Sequence, residues 1–250
     1  MSSLYIIIPA YNEEANIEAV AREWHQVAEN AGGEGSKLVV IDDGSKDGTF
    51  EILQKLSGQL NRLYPIRKEN SGHGATVLHG YQLALKEKAD YVFQTDSDGQ
   101  TVPDEFDGFW ARREEYDAII GHRQRRQDGF SRIVVTKVLK LVLLLVFGAR
   151  ITDANTPFRL MKRELLERHI QKVPTDFNLT NVLLTVSFVK SKEKICFMPI
   201  TFRQRQGGVN SINIKKIIRI GIQAVKDFRV INRQTRLYEQ AVRTDVSNTP

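Results

Sequence analysis

Apolar runs and helical stretches alternate regularly along the first half of this chain. Four runs have the length and composition of buried strands, and they lie at 4–8, 37–41, 63–66 and 91–93. Three stretches with helical spacing of apolar residues separate them, at 14–29, 49–56 and 75–86. Such alternation predicts an α/β fold, with a mainly parallel sheet and helices on both of its faces. A fifth strand is expected at 117–121.

Polar segments follow each of the four predicted strands. They lie at 9–13, 42–45, 70–74 and 96–98. Ligands of parallel α/β sheets bind at the carboxyl ends of the strands, so these segments are predicted to line one crevice. Asp42 and Asp43 are expected to hold ribose hydroxyls or a base edge, as acidic residues do in other nucleotide sites. Asp42 has a second interpretation, as the cap of the turn that follows it.

Asp96, Asp98 and Gln100 occupy alternate positions directly after the apolar run 91–93. Alternate residues of an extended chain project to one side, so the three side chains are predicted to converge. An all-oxygen cluster suits Mg²⁺ or Mn²⁺, and a divalent cation with few protein ligands is the usual companion of a nucleotide diphosphate. A surface turn rich in Asp, Ser and Gly is the alternative interpretation.

The net charge of +6 is unevenly distributed. Segments 121–150 and 203–243 are strongly basic, whereas the part that holds the paired carboxylates is acidic. Basic surface suits anionic lipid or phosphorylated substrates. Nucleic acid is not expected as a partner, because the chain has no aromatic-rich basic strand and no zinc-finger spacing. The single cysteine, Cys196, excludes a disulfide framework and favours a reducing compartment.

Two segments in the second half, 133–147 and 214–231, combine apolar residues with Lys or Arg. Neither has the ~20 apolar residues that cross a bilayer. They are interpreted as helices that lie in a membrane interface or pack on protein. The residues before the first strand do not have the pattern of a signal peptide, and the expected location is cytoplasmic and peripheral at the cytoplasmic face of the membrane. The end of the chain, 232–250, is a polar tail.

The motifs of this chain resemble those of family 2 glycosyltransferases of the GT-A fold, most of all the dolichyl- or polyprenyl-phosphate sugar transferases. The resemblance covers about 6–213, which implies a Rossmann-like GT-A domain at 1–213, a basic amphipathic helix at 214–231 and the tail at 232–250. Four specific motifs carry it, Ile-Ile-Ile-Pro-Ala-Tyr-Asn-Glu-Glu (6–14), Val-Ile-Asp-Asp-Gly-Ser-Lys-Asp-Gly-Thr (40–49), Asn-Ser-Gly-His-Gly-Ala (70–75) and Asp-Ser-Asp-Gly-Gln (96–100). Gly-His-Arg (121–123) and two looser motifs, at 153–159 and 205–211, complete the set.

The resemblance also implies roles for individual residues. The nucleoside would contact Pro9, Tyr11, Glu13 and Asp43. The metal would lie among Asp96, Asp98 and Gln100. Phosphate groups, of the donor or of a phosphorylated acceptor, would meet Arg123, Arg159 and Arg205 through bidentate hydrogen bonds. The expected catalytic residues are Asp98, Asp153 and Arg159. Asp153 is the candidate general base if the acceptor is a hydroxyl group, and a cap or turn residue is the alternative interpretation of it.

The chain departs from the family pattern on the acceptor side. Thr156-Pro157-Phe158-Arg159 stands where the family often has Ser-Gly-Phe-Arg. The Arg-x-x-Gly-x-Ser-Lys motif needs an extra residue at 205–211, and Ile212 stands where the Lys would be. These changes affect the identity of the acceptor more than the chemistry of the donor.

The expected reaction is inverting, metal-dependent transfer of a hexose from a UDP- or GDP-sugar to a polyprenyl phosphate, as part of cell-envelope glycan synthesis. The alternative acceptor is a polysaccharide or a sugar on a lipid diphosphate. Two rivals share the features of the sheet, namely a nucleotide-sugar-binding module without turnover and a nucleotidyltransferase. A membrane-embedded partner subunit and a homo-oligomer both remain open.

Overall fold

The computed structural model describes residues 2–123, 140, 142–148, 151–175 and 177–203. The chain forms two compact units, one of Met1–Arg125 and Thr152–Gly208, the other of Arg126–Ile151 and Val209–Pro250. The predicted helix 214–231 and tail 232–250 lie outside the described residues, as does most of the predicted helix 133–147. The sheet and the crevice belong to the first unit.

Seven strands form one sheet, in the order β3-β2-β1-β4-β6-β5-β7. They are β1 (Leu4–Ala10), β2 (Lys37–Asp42), β3 (Leu63–Arg67), β4 (Tyr91–Gln94), β5 (Ala118–Arg123), β6 (Arg159–Lys162) and β7 (Ile195–Ile200). β6 is antiparallel to both of its neighbours, and the other pairs are parallel. The predicted α/β, mainly parallel sheet is confirmed, and β6 and β7 are additions to it.

The described helices are α1 (Ile17–Ala31), α2 (Thr49–Ser57), α3 (His73–Lys86), α4 (Phe106–Ala111), α5 (142–147), α6 (Arg163–His169) and α7 (Thr180–Lys190). α1 begins three residues later than predicted, because Asn16 and Ile17 both donate to the carbonyl of Glu13 and close a turn there. Among the described residues, no helix has the length and hydropathy needed to span a bilayer.

β1 is buried on both faces, as a central parallel strand requires. On one face an aromatic cluster joins β4 to α1, with the ring of Phe93 5.2 Å from Trp24 and 4.7 Å from Phe158. On the other face Gly80 of α3 lies directly against Ile7, where an added Cβ would be 2.3 Å from a methyl carbon. Two packed faces hold the ends of β1 and β4 in place beside the crevice.

Candidate active site

A crevice of about 400 Å³ opens where β1, β2 and β4 end and α3 begins. All four polar segments that follow the predicted strands contribute to its wall, including Tyr11, Asp43, His73, Asp96 and Asp98. β4 ends at Gln94, opposite Ile7, so the last residues of β1 extend past it and line the crevice. This volume and this position are typical of a small-molecule site in an α/β sheet.

The segment after β1 is tied to the loop after β2. The amide of Asn12 donates to Ser45 Oγ at 2.9 Å, and the amide of Glu13 donates to Thr49 Oγ1 at 2.9 Å. Asn12 has a positive φ of 54°, a conformation that Asn tolerates better than most residues. These contacts hold the backbone while Tyr11 remains 44% exposed in the wall of the crevice. Its ring is thus available to stack on a planar ligand.

Asp42 and Asp43 have different surroundings. Asp43 is buried, and its carboxylate accepts hydrogen bonds from Lys68 Nζ and from the amides of Ser71 and Gly72, both at 2.9 Å. Burial acts to raise the pKa of Asp43, but the bonds from Lys68 and Ser71 outweigh it and the pKa is lowered. Asp43 is therefore ionised, and its carboxylate holds the 68–72 loop in place through these hydrogen bonds.

Asp42 is buried and is not part of the crevice wall. Its carboxylate accepts from the amide of Ser45 at 3.2 Å and lies 3.4 Å from Arg67 Nε. Of the two interpretations of Asp42, the structure agrees with the turn cap.

Two glycines allow α3 to start at the crevice. Gly72 has a φ of 88°, which favours glycine, and it precedes the first residue of the helix. Gly74 packs against the loop before α7, where an added Cβ would lie 2.3 Å from the carbonyl oxygen of Phe177. Thr180 Oγ1 also donates to the carbonyl of Gly74 at 2.9 Å. The beginnings of α3 and α7 are thus in direct contact.

The structure brings Asp96 and Asp98 together at the crevice but places Gln100 elsewhere. Gly99 has a φ of 68°, so the chain turns and the alternation on which the prediction rested stops there. The Gln100 side chain donates to the carbonyl of Arg203 at 3.2 Å, and Gln100 is not in the crevice wall. The prediction that three side chains converge is therefore wrong for Gln100.

The surroundings of Asp96 fit a cation. The Asp96 side chain is 30% exposed, and His73 Nε2 lies 3.8 Å from its Oδ1. Burial raises the pKa of Asp96, His73 and Arg123 act to lower it, and the nearby Asp98 acts to raise it further. Within the described ranges no cluster of three or more His, Cys, Asp or Glu is arranged to hold a metal. Two carboxylates facing an open crevice match the sparse protein ligation of Mg²⁺ or Mn²⁺ on a diphosphate.

Of the three arginines that are predicted to meet phosphate groups, the structure describes Arg123 and Arg159. Arg123 ends β5, its guanidinium lies 3.7 Å from the ring centroid of Phe202, and its charge acts on Asp96. No sequence pattern had singled out Phe202. Arg205 lies outside the described residues.

Arg159 requires a correction, because it is fully buried. Its Nε and Nη2 donate to the carbonyl of Thr156 at 3.0 and 2.7 Å, and Nη2 also donates to that of Ala154 at 3.1 Å. Its Nη1 donates to the carbonyl of Asn181 and to Thr185 Oγ1, at 3.2 and 3.3 Å. These contacts occupy the five N–H groups of a guanidinium, so Arg159 braces the 154–156 loop instead of meeting a phosphate group. Asp153, half-buried, precedes that loop and is not in the crevice wall.

The sequence profile of glycosyl transferase family 2 matches residues 5–170. Polyprenol monophosphomannose synthase of Mycolicibacterium smegmatis is 26% identical over 217 residues, which are 83% of this chain and 80% of that protein. Undecaprenyl-phosphate 4-deoxy-4-formamido-L-arabinose transferase of Salmonella paratyphi B is 26% identical over 165 residues, 65% of this chain. This chain spans about half of that relative, 49%.

A solved structure supports the fold. The glucosyl-3-phosphoglycerate synthase of Mycobacterium tuberculosis, in complex with Mn²⁺, uridine diphosphate and phosphoglyceric acid, superposes with a TM-score of 0.68. The match covers 92% of this chain and 78% of that one, at 18% identity.

Proposed function

The chain belongs to glycosyl transferase family 2 and is a glycosyltransferase, and we propose that it transfers a hexose from a UDP- or GDP-sugar to a polyprenyl phosphate, with inversion at the anomeric carbon. One observation carries the donor half of this proposal. Tyr11, Asp43, Asp96 and Asp98, which come from the ends of three strands, line a single crevice. An aromatic face at one part of the wall and paired carboxylates at another match the two ends of a nucleoside diphosphate.

Each part of the crevice has a task in this proposal. Tyr11 stacks on the base, and Pro9 and Glu13 lie beside the nucleoside. Asp43 acts through the loop that it holds, because its carboxylate is already bonded to Lys68 and two amides. Arg123 favours the anionic end of the donor electrostatically.

Asp96 and Asp98 are the residues that would hold Mg²⁺ or Mn²⁺. The bound cation would offset the negative charge that develops on the departing diphosphate. The solved structure of the synthase contains Mn²⁺ together with uridine diphosphate, which supports the same pairing here.

The acceptor is proposed from the relatives and from charge. The names of two relatives specify polyprenol monophosphomannose and undecaprenyl phosphate. A phosphate acceptor is already anionic, so its oxygen attacks with little help from a general base. With a hydroxyl acceptor a base is required, and Asp153 is then the residue proposed for it.

We also propose peripheral attachment at the cytoplasmic face of the membrane. In α5, Leu145 is 75% exposed and Leu144 38% exposed, and Lys140, a few residues earlier in the chain, is also exposed. Exposed leucines near a positively charged lysine suit the interface of an anionic bilayer. We propose the same contact with the membrane interface for the second basic segment, 214–231, from its sequence alone.

The direct test is to incubate the protein with Mn²⁺, a panel of UDP- and GDP-sugars and polyprenyl phosphate, and to extract the lipid. A sugar recovered on the lipid supports the proposal. A second arm replaces the lipid with phosphoglyceric acid, the soluble acid bound in the solved synthase. Transfer in that arm alone would replace the lipid acceptor by a soluble one and leave the donor assignment intact.

A further inference from the structure

We infer that Asn181 of α7 is a positioning residue for Asp96, acting through Gln94, and that it strengthens the binding of a divalent cation with a nucleoside diphosphate. The inference rests on the proposed function, since Asp96 needs a ligand for its position to matter. Nothing in the strand and helix pattern links α7 with the paired carboxylates, because the contact joins residues far apart in the chain.

Four polar groups form a hydrogen-bonded chain that ends at the crevice. The hydroxyl of Tyr81 donates to Asn181 Oδ1 at 3.0 Å, and Asn181 Nδ2 donates to Gln94 Oε1 at 2.9 Å. Gln94 Nε2 donates to Asp96 Oδ1 at 3.1 Å. Tyr81, Asn181 and Gln94 are buried, so water does not replace these bonds, and only Asp96 reaches the crevice.

The direction of every bond in this relay follows from chemistry. Asp96 as a carboxylate and the carbonyl of Thr95 only accept, and Gln94 Nε2 lies within 3.3 Å of both. The amide oxygen of Gln94 must then face Asn181, which must present its NH₂ group. The oxygen of Asn181 is left for Tyr81, which must donate its hydroxyl proton. All three bonds therefore point toward Asp96.

A one-way relay does two things for a carboxylate ligand. Successive donors polarise one another, so the hydrogen bond that Asp96 accepts is stronger than one from an isolated side-chain amide. The bond to Oδ1 also restricts rotation of the carboxylate, which otherwise turns freely about its last torsion. Both effects favour the charged, oriented form of Asp96 that a cation needs, in the way that outer-shell partners support metal ligands.

Asn181→Asp tests the relay with almost no change in volume. A carboxylate at 181 accepts only, so Gln94 must turn its NH₂ group toward it and present its oxygen to Asp96. Tyr81→Phe removes the first donor and keeps the ring, which guards against a folding defect in the first variant. The matched control is Ser187→Ala, which removes the 2.7 Å bond from the same helix to His169, away from the crevice.

The measurement is calorimetric titration of the full chain with Mn²⁺ in the presence of UDP or GDP, alongside the melting temperature without metal. We expect Asn181→Asp to weaken Mn²⁺ binding about tenfold and Tyr81→Phe about threefold, the range for the net contribution of one ordinary hydrogen bond. Ser187→Ala should bind within about twofold of the wild type, whatever its melting temperature.

Two results would overturn this assignment, and they differ from each other. If both variants melt earlier but bind Mn²⁺ and nucleotide as the wild type does, the relay is only structural and the proposed function stands. If the wild type itself binds no Mn²⁺ with either nucleotide, the proposed function is wrong and the relay serves no such site.

Discussion

Arg159 donates a 2.7 Å hydrogen bond from Nη2 to the carbonyl oxygen of Thr156, three residues earlier in the chain. The contact closes the loop from Thr156 to Arg159 around the buried guanidinium group of Arg159. Burial lowers the pKa of Arg159, and the nearby charges of Asp153 and Asp96 are among the groups that act to raise it. The loop that the family resemblance assigns to the acceptor side is thus held from within the protein.

Arg159→Met should destabilise the fold by about 3 kcal/mol or more, because it leaves buried carbonyl groups of the 154–156 loop and of α7 without donors. Urea unfolding followed by circular dichroism measures the loss. Arg22→Met, at an exposed arginine of α1 that pairs with Glu18, should change stability by no more than about 0.5 kcal/mol. A stable Arg159→Met protein that no longer binds donor would restore the original assignment to phosphate.

Gly74→Ala should separate α3 from the loop before α7, because the new Cβ would lie 2.3 Å from the Phe177 carbonyl oxygen. We expect a loss of about 2 kcal/mol or more and weaker nucleotide binding, since His73 and Gly72 line the crevice. Thermal melts and nucleotide titration measure the two effects. Gly58→Ala is the control, as its Cβ would have 3.6 Å to its nearest neighbour and its φ of −74° suits any residue. Equal stability of both variants would contradict this account of the α3 contact.

The strand and helix pattern predicts β1 to β5, α1 to α3 and the meeting of four polar segments, because each depends on local periodicity and on one rule of parallel sheets. It does not predict β6, a strand of four residues whose pairing partners are distant in the chain. Gln100 was misplaced because a single positive φ at Gly99 ends the alternation. Arg159 was misplaced because sequence alone does not distinguish an arginine that meets a ligand from one that braces a loop.

Acid should weaken the fold through His169. This side chain is buried, with Nε2 2.7 Å from Glu193 Oε1, and burial lowers its pKa although Glu193 opposes the shift. Between pH ~7 and ~5 the unfolded chain takes up a proton at this residue, near its reference pKa of about 6.5, and the folded chain resists it. The contribution of His169 to the free energy of unfolding is therefore fully present above that range, and it is lost as the pH falls through it.

His169→Gln should reduce the loss of stability between pH 7.5 and 5.5, measured as the difference between the urea unfolding midpoints at the two pH values. His79→Gln, at an exposed histidine of α3, should leave the slope as it is. An unchanged slope in His169→Gln would assign the pH dependence to other groups.

Replacing Leu144 and Leu145 with Glu should reduce binding to anionic vesicles by about tenfold or more, because two exposed apolar side chains become anionic. Cosedimentation at low and high salt measures binding, and binding of the wild type should fall as salt rises. Tyr64→Ser, which removes an exposed apolar residue of β3, is the control. If the wild type ignores anionic vesicles at low salt, a soluble acceptor becomes the better proposal.

The central claim is that Asp96 and Asp98 hold the cation on which sugar transfer depends. The measurement that tests it most directly is the rate of transfer from the preferred nucleotide sugar, with Mn²⁺ and with excess chelator, for the wild type and for Asp98→Ala. We predict that chelator stops the wild type, that Mn²⁺ restores it, and that Asp98→Ala loses at least about a thousandfold with an unchanged circular dichroism spectrum. Full turnover in chelator, or wild-type rates in Asp98→Ala, would contradict the account.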